Sequence, residues 1–297
     1  MTEQRIMNYF AGMKQYFFIG AAFMCFVFRA GAQQDNSYVY QGEFGISAGA
    51  SQYFGDLNPG YHFNTPKPVI GLYFRKQVTD YIAVRIAGHF AQLGYSDVYN
   101  TQNTFDLRRN LSFNTNIWEL GFQGDFNFFR FIPGDGDHRS TPYLTFGIGM
   151  FSFDPYAYLA GQKYYLRELG TEGQGTAAFP DRKPYNNIAA YIPLGVGYKY
   201  NLNPKMNIGI EVVYRFTTTD YLDDVSKTYA GINNFPTLPN GDPSVAALLQ
   251  DRSYETGSPS IGIQGRQRGY SNQTDGYLFA EIMFSFNISS YRCPTAK

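Results

Sequence analysis

Ile82-Ala83-Val84-Arg85-Ile86-Ala87-Gly88-His89-Phe90 sets Ile82, Val84, Ile86 and Phe90 against Ala83, Arg85, Ala87 and His89, because side chains of an extended chain alternate with period two. The same division recurs downstream. In 115–129, Trp118, Leu120, Phe122, Phe126 and Phe128 oppose Glu119, Gln123, Asp125 and Asn127. In 205–218, Ile208, Ile210, Val212, Tyr214 and Phe216 oppose Asn207, Gly209, Glu211 and Arg215; near the end, Leu278, Ala280, Ile282, Phe284 and Phe286 oppose Tyr277, Glu281 and Ser285. One such strand suits a half-buried sheet in a water-soluble protein. Several, each near the ~9–11 residues needed to cross a bilayer, predict membrane-crossing strands.

Eight segments alternate in this way: 42–53, 68–77, 80–93, 115–129, 142–154, 188–200, 205–218 and 276–287. Their connections sort by parity. The first, third, fifth and seventh (54–67, 94–114, 155–187 and 219–275) are long, whereas 78–79 and 201–204 are tight and 130–141 is moderate. Transmembrane barrels have short periplasmic turns and long surface loops, and a soluble sandwich has no reason to sort its loops so. The predicted fold is all-β: an eight-stranded antiparallel transmembrane β-barrel with long extracellular loops and short periplasmic turns.

The N-terminus supplies an address. Lys14 precedes the apolar run 16–28, which is followed by Ala30-Gly31-Ala32, a small-residue cleavage site. The run is shorter than the ~20 residues a spanning helix requires. Residues 1–32 are therefore expected to be a cleaved signal peptide, with 1–12 as an upstream extension before Met13, and 33–297 the outer-membrane barrel domain. Cleavage removes Arg5, Lys14, Arg29 and Glu3 from 24 basic and 24 acidic side chains, leaving a slight negative excess. That charge argues against nucleic acid as a partner. Cys25 leaves with the signal, so Cys293 is left without an intrachain disulfide partner.

Composition agrees with a barrel, which needs apolar side chains on its outward face alone. The 26 tyrosines and 27 phenylalanines, against one tryptophan, suit interfacial girdles and a narrow, filled lumen. Glycines such as Gly45, Gly149 and Gly197 share the inward parity and let crowded strands pack closely. Pro193 falls inside a strand, where it cannot donate to the ladder, and a bulge is expected there.

Eight strands enclose a bore just wide enough to be filled by side chains. Arg75, Arg85, Glu119, Asp125, Glu211, Arg215 and Glu281 all have inward parity. An internal salt-bridge network satisfies such charges, with a proton or substrate pathway as the alternative. Glu211 and Arg215, four apart on one face, are expected to pair with residues of adjacent strands. No catalytic constellation emerges: His89 points inward, His62 and His138 lie in connections on opposite sides of the membrane, and no serine elbow or metal-ligand spacing occurs. No enzyme activity and no cofactor are expected.

The loops carry further signals. Asp220, Asp223 and Asp224 offer three carboxylates as the seventh strand ends. They are a weak Ca²⁺ candidate without the glycine turn and spacing of an EF-hand loop, and a hydrogen-bonding cap at the barrel rim is the preferred reading. Tyr53-Phe54-Gly55-Asp56-Leu57-Asn58-Pro59-Gly60 is rich in turn formers that fold the first loop over the rim.

Gly55-Asp56-Leu57-Asn58, the sixth-strand run Ile192-Pro193-Leu194-Gly195-Val196-Gly197-Tyr198-Lys199-Tyr200, the run Thr219-Asp220-Tyr221-Leu222-Asp223-Asp224-Val225-Ser226, and a terminal Arg292-Cys293-Pro294 together resemble the PorG-like outer-membrane proteins of Bacteroidota. The resemblance implies a component of the type IX secretion system, associated with the periplasmic ring of PorK and PorN proteins and embedded in outer-membrane lipid. It implies a role in anchoring or positioning that ring, in support of cargo export and, in some members, gliding. The periplasmic features expected to meet such a partner are Asp135, Asp137, His138 and Arg139 of the moderate turn, and Tyr291, Arg292 and Cys293 of the tail. The alternative is a stand-alone structural or surface ligand-binding barrel whose long loops recognise an extracellular ligand.

Overall fold

The computed structural model of the chain describes residues 38–257 and 259–291. The expected signal peptide, Arg292, Cys293 and the side chain of Tyr291 lie outside the described residues and side chains. Among the described residues ten strands form: β1 (Tyr38–Phe54), β2 (Lys67–Gln77), β3 (Ile82–Ser96), β4 (Ser112–Asn127), β5 (Ser140–Ser152), β6 (Tyr156–Leu159), β7 (Gln162–Tyr165), β8 (Ile188–Asn203), β9 (Met206–Thr217) and β10 (Gly276–Tyr291). Eight of them, in the order β3-β2-β1-β10-β9-β8-β5-β4, close into a barrel through the β3–β4 pairing. Closure removes the unpaired edges that a lipid environment forbids. The remaining two form a hairpin inside the loop 153–187, joined to β4 by the pair Asn114↔Tyr156.

The alternation read from the sequence is the alternation of the wall. On β4, Trp118, Leu120 and Phe122 are 64%, 61% and 54% exposed, while Glu119, Gln123 and Asp125 are 5%, 2% and 1% exposed. The outward face is thus a continuous apolar belt, which hydrocarbon solvates and water does not. Inside, three glycines make room for tyrosines of the neighbouring strand. Gly45↔Tyr73, Gly149↔Tyr191 and Gly197↔Tyr143 are register partners. A Cβ at each of these glycines would lie 2.3 Å from the tyrosine ring.

Pro193 does not make the expected bulge. It pairs in register with Arg215 of β9, and toward β5 the ladder opens between Gly149↔Tyr191 and Phe146↔Leu194 and resumes in the same register. The missing N–H is accommodated by a local gap, with no extra residue; the register shift of β8 falls at Asn201/Asn203. β3 and β4 also pair farther than periodicity suggests, up to Ser96↔Ser112.

Both ends of the bore are covered. Tyr53, Tyr277 and Phe279 of the upper wall share one buried cluster with Leu57, Leu111, Leu166, Leu222 and Leu249 of the four long loops. At the other end the turn after β4 tucks Phe131 beneath the bore, where its carbonyl accepts from Gln77 Nε2 at 2.6 Å. Lys199 Nζ lies 4.5 Å from the centre of its ring.

Candidate functional site

The bore holds two charge clusters. In the lower one, the register partners Glu43 and Arg75 pair at 2.5 Å. Arg75 Nε reaches Asp125 at 2.7 Å, and Arg85 lies 3.7 Å from Asp125 and 2.8 Å from Glu211. The Tyr143 hydroxyl donates to Glu211 at 2.6 Å, and Ser285 donates to Glu43 at 2.8 Å. Lys199 completes this layer with its ammonium over the rings of Phe131 and Tyr143. A space for about one water remains beside Tyr73, Arg75, Tyr143, Lys199 and Asn207.

In the upper cluster, Arg215 pairs with Glu119 at 2.9 Å, and the Tyr277 hydroxyl donates to Glu119 at 2.8 Å. His89 presents Nδ1 to Glu119 at 2.9 Å and Nε2 to Glu281 at 3.5 Å; Ser47 donates to Glu281 at 2.7 Å. The seven inward charges named from the sequence therefore all join these clusters. One detail is corrected. Glu211 and Arg215 of β9 find their partners on β3 and β4, across the bore, because the narrow lumen brings opposite walls within reach of long side chains. Glu43, Lys199 and His89 complete the set. The first two share the parity of Gly45 and Gly197 in their own strands, and that signal was sufficient to find them.

Above the bore, two arginines tie the loops together. Arg109, at the end of the short helix Thr104–Arg109, grips Asp97 with Nε at 2.8 Å and Nη2 at 2.7 Å, and donates to the carbonyls of Arg268 (2.8 Å) and Asp56 (3.0 Å). Such forked pairing is strong and directional. Arg268 reaches Glu172 at 3.2 Å and the Asp224 carbonyl at 2.5 Å. Glu172 in turn accepts from the backbone N–H groups of Ser226 (2.9 Å) and Lys227 (3.0 Å).

The three rim aspartates are used separately. Asp223 accepts from the Tyr53 hydroxyl at 2.5 Å and from the Val225 N–H at 2.9 Å. Asp224 accepts from the hydroxyls of Thr171 and Tyr185. Asp220 is held apart, with Ser226, Asp56 and Glu172 around it. Among the described residues no three acidic, His or Cys side chains are arranged to hold a metal ion, so the Ca²⁺ candidate gives way to the rim cap. Burial pushes Asp220 up to about 8 and Asp56 up to about 6, and nearby carboxylates add to both. Asp224 rises to about 6 by burial, with Arg268 opposing. Burial pushes Asp223 and Asp275 well above the carboxylate range, and repulsion from neighbouring carboxylates adds to both.

On the opposite rim, His138 Nδ1 lies 2.9 Å from Asp135, which also accepts the Asp137 N–H at 2.9 Å. The Arg139 carbonyl accepts from Asn201 N–H at 2.7 Å, and Gly134 N–H donates to the Asn201 side chain at 3.0 Å. The moderate turn is thus fastened to the tight turn beside it. Tyr291 ends β10.

A closed, lipid-facing wall around a filled bore defines the class: an eight-stranded antiparallel β-barrel of the membrane type. The chain belongs to the family described as a domain of unknown function (DUF6089), whose profile matches residues 21–241. No curated protein sequence matches it. Similar solved structures include the N-terminal β-barrel domain of OprF from Pseudomonas aeruginosa (11% identity, TM-score 0.35, 84% of this chain and 100% of that one). Others are Ail of Yersinia pestis (10%, 0.37, 84% and 99%) and Neisserial surface protein A (8%, 0.39, 86% and 100%).

Proposed function

We propose that this protein is a non-enzymatic outer-membrane component of a type IX protein secretion system of Bacteroidota, a PorG-like barrel that anchors or positions the periplasmic PorK/PorN ring. The observation that carries the reading is a bore filled by paired side chains and covered at both ends, which suits a fixed anchor and not a conduit. The motifs behind the PorG resemblance support it. Asp56, Asp223 and Asp224 build the cap, while Pro193, Gly197 and Lys199 build the wall and bore. Export by a cleaved signal peptide and the parity of loop lengths support the outer membrane as its location.

In this reading the ring is met from below by Asp135, Asp137, His138 and Arg139 and by Tyr291, Arg292 and Cys293. Replacing 133–139 with a short Asn-Gly hairpin, or deleting 291–297, weakens recovery of ring proteins with the barrel while the barrel still assembles. Normal ring recovery and cargo export in cells lacking the whole protein would sink the reading. The second reading, a stand-alone structural or ligand-binding barrel, draws its support from the folded cap, which presents a tyrosine-rich hairpin outward.

A further inference from the structure

The hairpin β6–β7 has a buried back and an exposed front. Ala157 is buried in the main core, and Leu159 and Tyr164 pack against it. The front is formed by two directly opposed pairs, Tyr156↔Tyr165 and Tyr158↔Lys163. Tyr158 is 50% and Tyr165 39% exposed. Lys163 Nζ lies 3.7 Å from the centre of the Tyr156 ring and 4.5 Å from that of Tyr165, and donates to the Tyr165 hydroxyl at 3.0 Å. The ammonium is therefore fixed between rings, so little side-chain freedom remains to be lost when an anion meets it.

The direction and height of this front identify what it faces. Tyr156 pairs with Asn114 of β4, which has the same outward parity as Trp118. The front therefore looks sideways from the wall, on the lipid-facing side. Trp118 marks the upper edge of the apolar belt: below it come Leu120 and Phe122, above it the outward residues are Asn116, Asn114 and Ser112, and tryptophan favours the bilayer interface. Four residues of strand raise the patch ~13 Å along β4, or roughly 10 Å along the membrane normal at barrel tilt. A phospholipid headgroup layer occupies only about 5–8 Å beyond the hydrocarbon. The patch sits above that layer, beside whatever headgroup extends farther.

We propose that Tyr156, Tyr158, Tyr165 and Lys163 form a lateral docking surface for the phosphorylated sugar headgroup of an outer-leaflet glycolipid. Tyrosine rings pack against the C–H faces of sugars while their hydroxyls remain available for hydrogen bonds. The fixed ammonium meets phosphate, and Asn114 and Asn116 lie on the wall between patch and belt. The surface is continuous with the lipid-facing belt, which argues for a membrane occupant over a soluble one. The proposal rests on the outer-membrane reading and is independent of the secretion role.

The full mature chain is reconstituted in nanodiscs of phosphatidylethanolamine and phosphatidylglycerol alone, with added lipid A lacking core sugars, or with added lipopolysaccharide bearing them. Acetylation of Lys163 is followed by mass spectrometry, with exposed Lys183 as the internal reference. Lys163 is expected to react several-fold more slowly with core-bearing lipopolysaccharide alone, and Tyr158→Ala with Tyr165→Ala to abolish that protection while heat-modifiability stays normal. Equal acetylation of Lys163 in all three discs, with the barrel folded, overturns the proposal. So does protection that survives the double substitution. A chain that fails to insert into any disc overturns the membrane reading itself.

Discussion

Arg215 of β9 pairs at 2.9 Å with Glu119 of β4 across the bore, and its guanidinium carbon lies 3.7 Å from the centre of the Phe279 ring. Both side chains are almost wholly enclosed, so neither charge can fall back on water. Arg215→Glu sets two carboxylates against each other beside Glu281 and takes the guanidinium away from the Phe279 ring. The expected loss is about 3–5 kcal/mol, the range for breaking a buried pair, seen as a lower temperature for the heat-modified gel shift. The exchange Glu119→Arg with Arg215→Glu should recover part of the loss. An unchanged gel shift in Arg215→Glu would mean the network contributes little.

The glycine–tyrosine pairs offer a second measurement. A methyl group at Gly197 meets the Tyr143 ring and displaces the hydroxyl that donates to Glu211. Gly197→Ala should cost about 1–3 kcal/mol, as overpacking does. Gly88→Ala, where the added carbon lies 3.7 Å from its nearest neighbour, should stay within about 0.5 kcal/mol. Equal effects at the two sites would remove the packing argument.

Strand positions were legible in the sequence because period-two alternation is a local signal: β10 begins at Gly276, β2 ends at Gln77 and β8 begins at Ile188, all as periodicity places them. The inward charges were legible for the same reason. Their partners were not, because Glu211 to Arg85 and Arg215 to Glu119 span the bore, and parity assigns a face without assigning a neighbour. Arg109, Glu172 and Arg268 were invisible for a further reason: they stand in aperiodic loops and act through backbone carbonyls and N–H groups that come together when four loops fold. The hairpin β6–β7 is too short to show alternation.

The carboxyls of the cap predict a pH dependence whose sign follows from linkage. Asp56, Asp220 and Asp224 titrate at about 6, 8 and 6 in the closed cap, and near 4 when the loops are open. The closed form therefore holds more protons. Its stabilisation is fully present below about pH 4 and is lost as pH rises through 6 to 8, with no further change from these groups above that. Limited proteolysis of 219–275 should accelerate over that interval, and Asp220→Asn should flatten its upper part. A cap that tightens from pH 5 to 8 would contradict the assignment.

Membrane sidedness can be read from two lysines at opposite ends of the barrel. Lys183 is exposed in the long connection between β7 and β8, while Lys205 is exposed in the tight turn between β8 and β9. The strand between them crosses the apolar belt once, so the two must lie on opposite sides. Loop-length parity places Lys183 at the cell surface and Lys205 in the periplasm. In a Cys293→Ser background, Lys183→Cys should react with a membrane-impermeant maleimide on intact cells. Lys205→Cys should react only after the outer membrane is permeabilised, since both positions are exposed and neither substitution disturbs a buried contact. Labelling of Lys205→Cys on intact cells, with Lys183→Cys protected, would invert the barrel and move the acid-rich cap, together with the tyrosine front of β6–β7, to the periplasmic side.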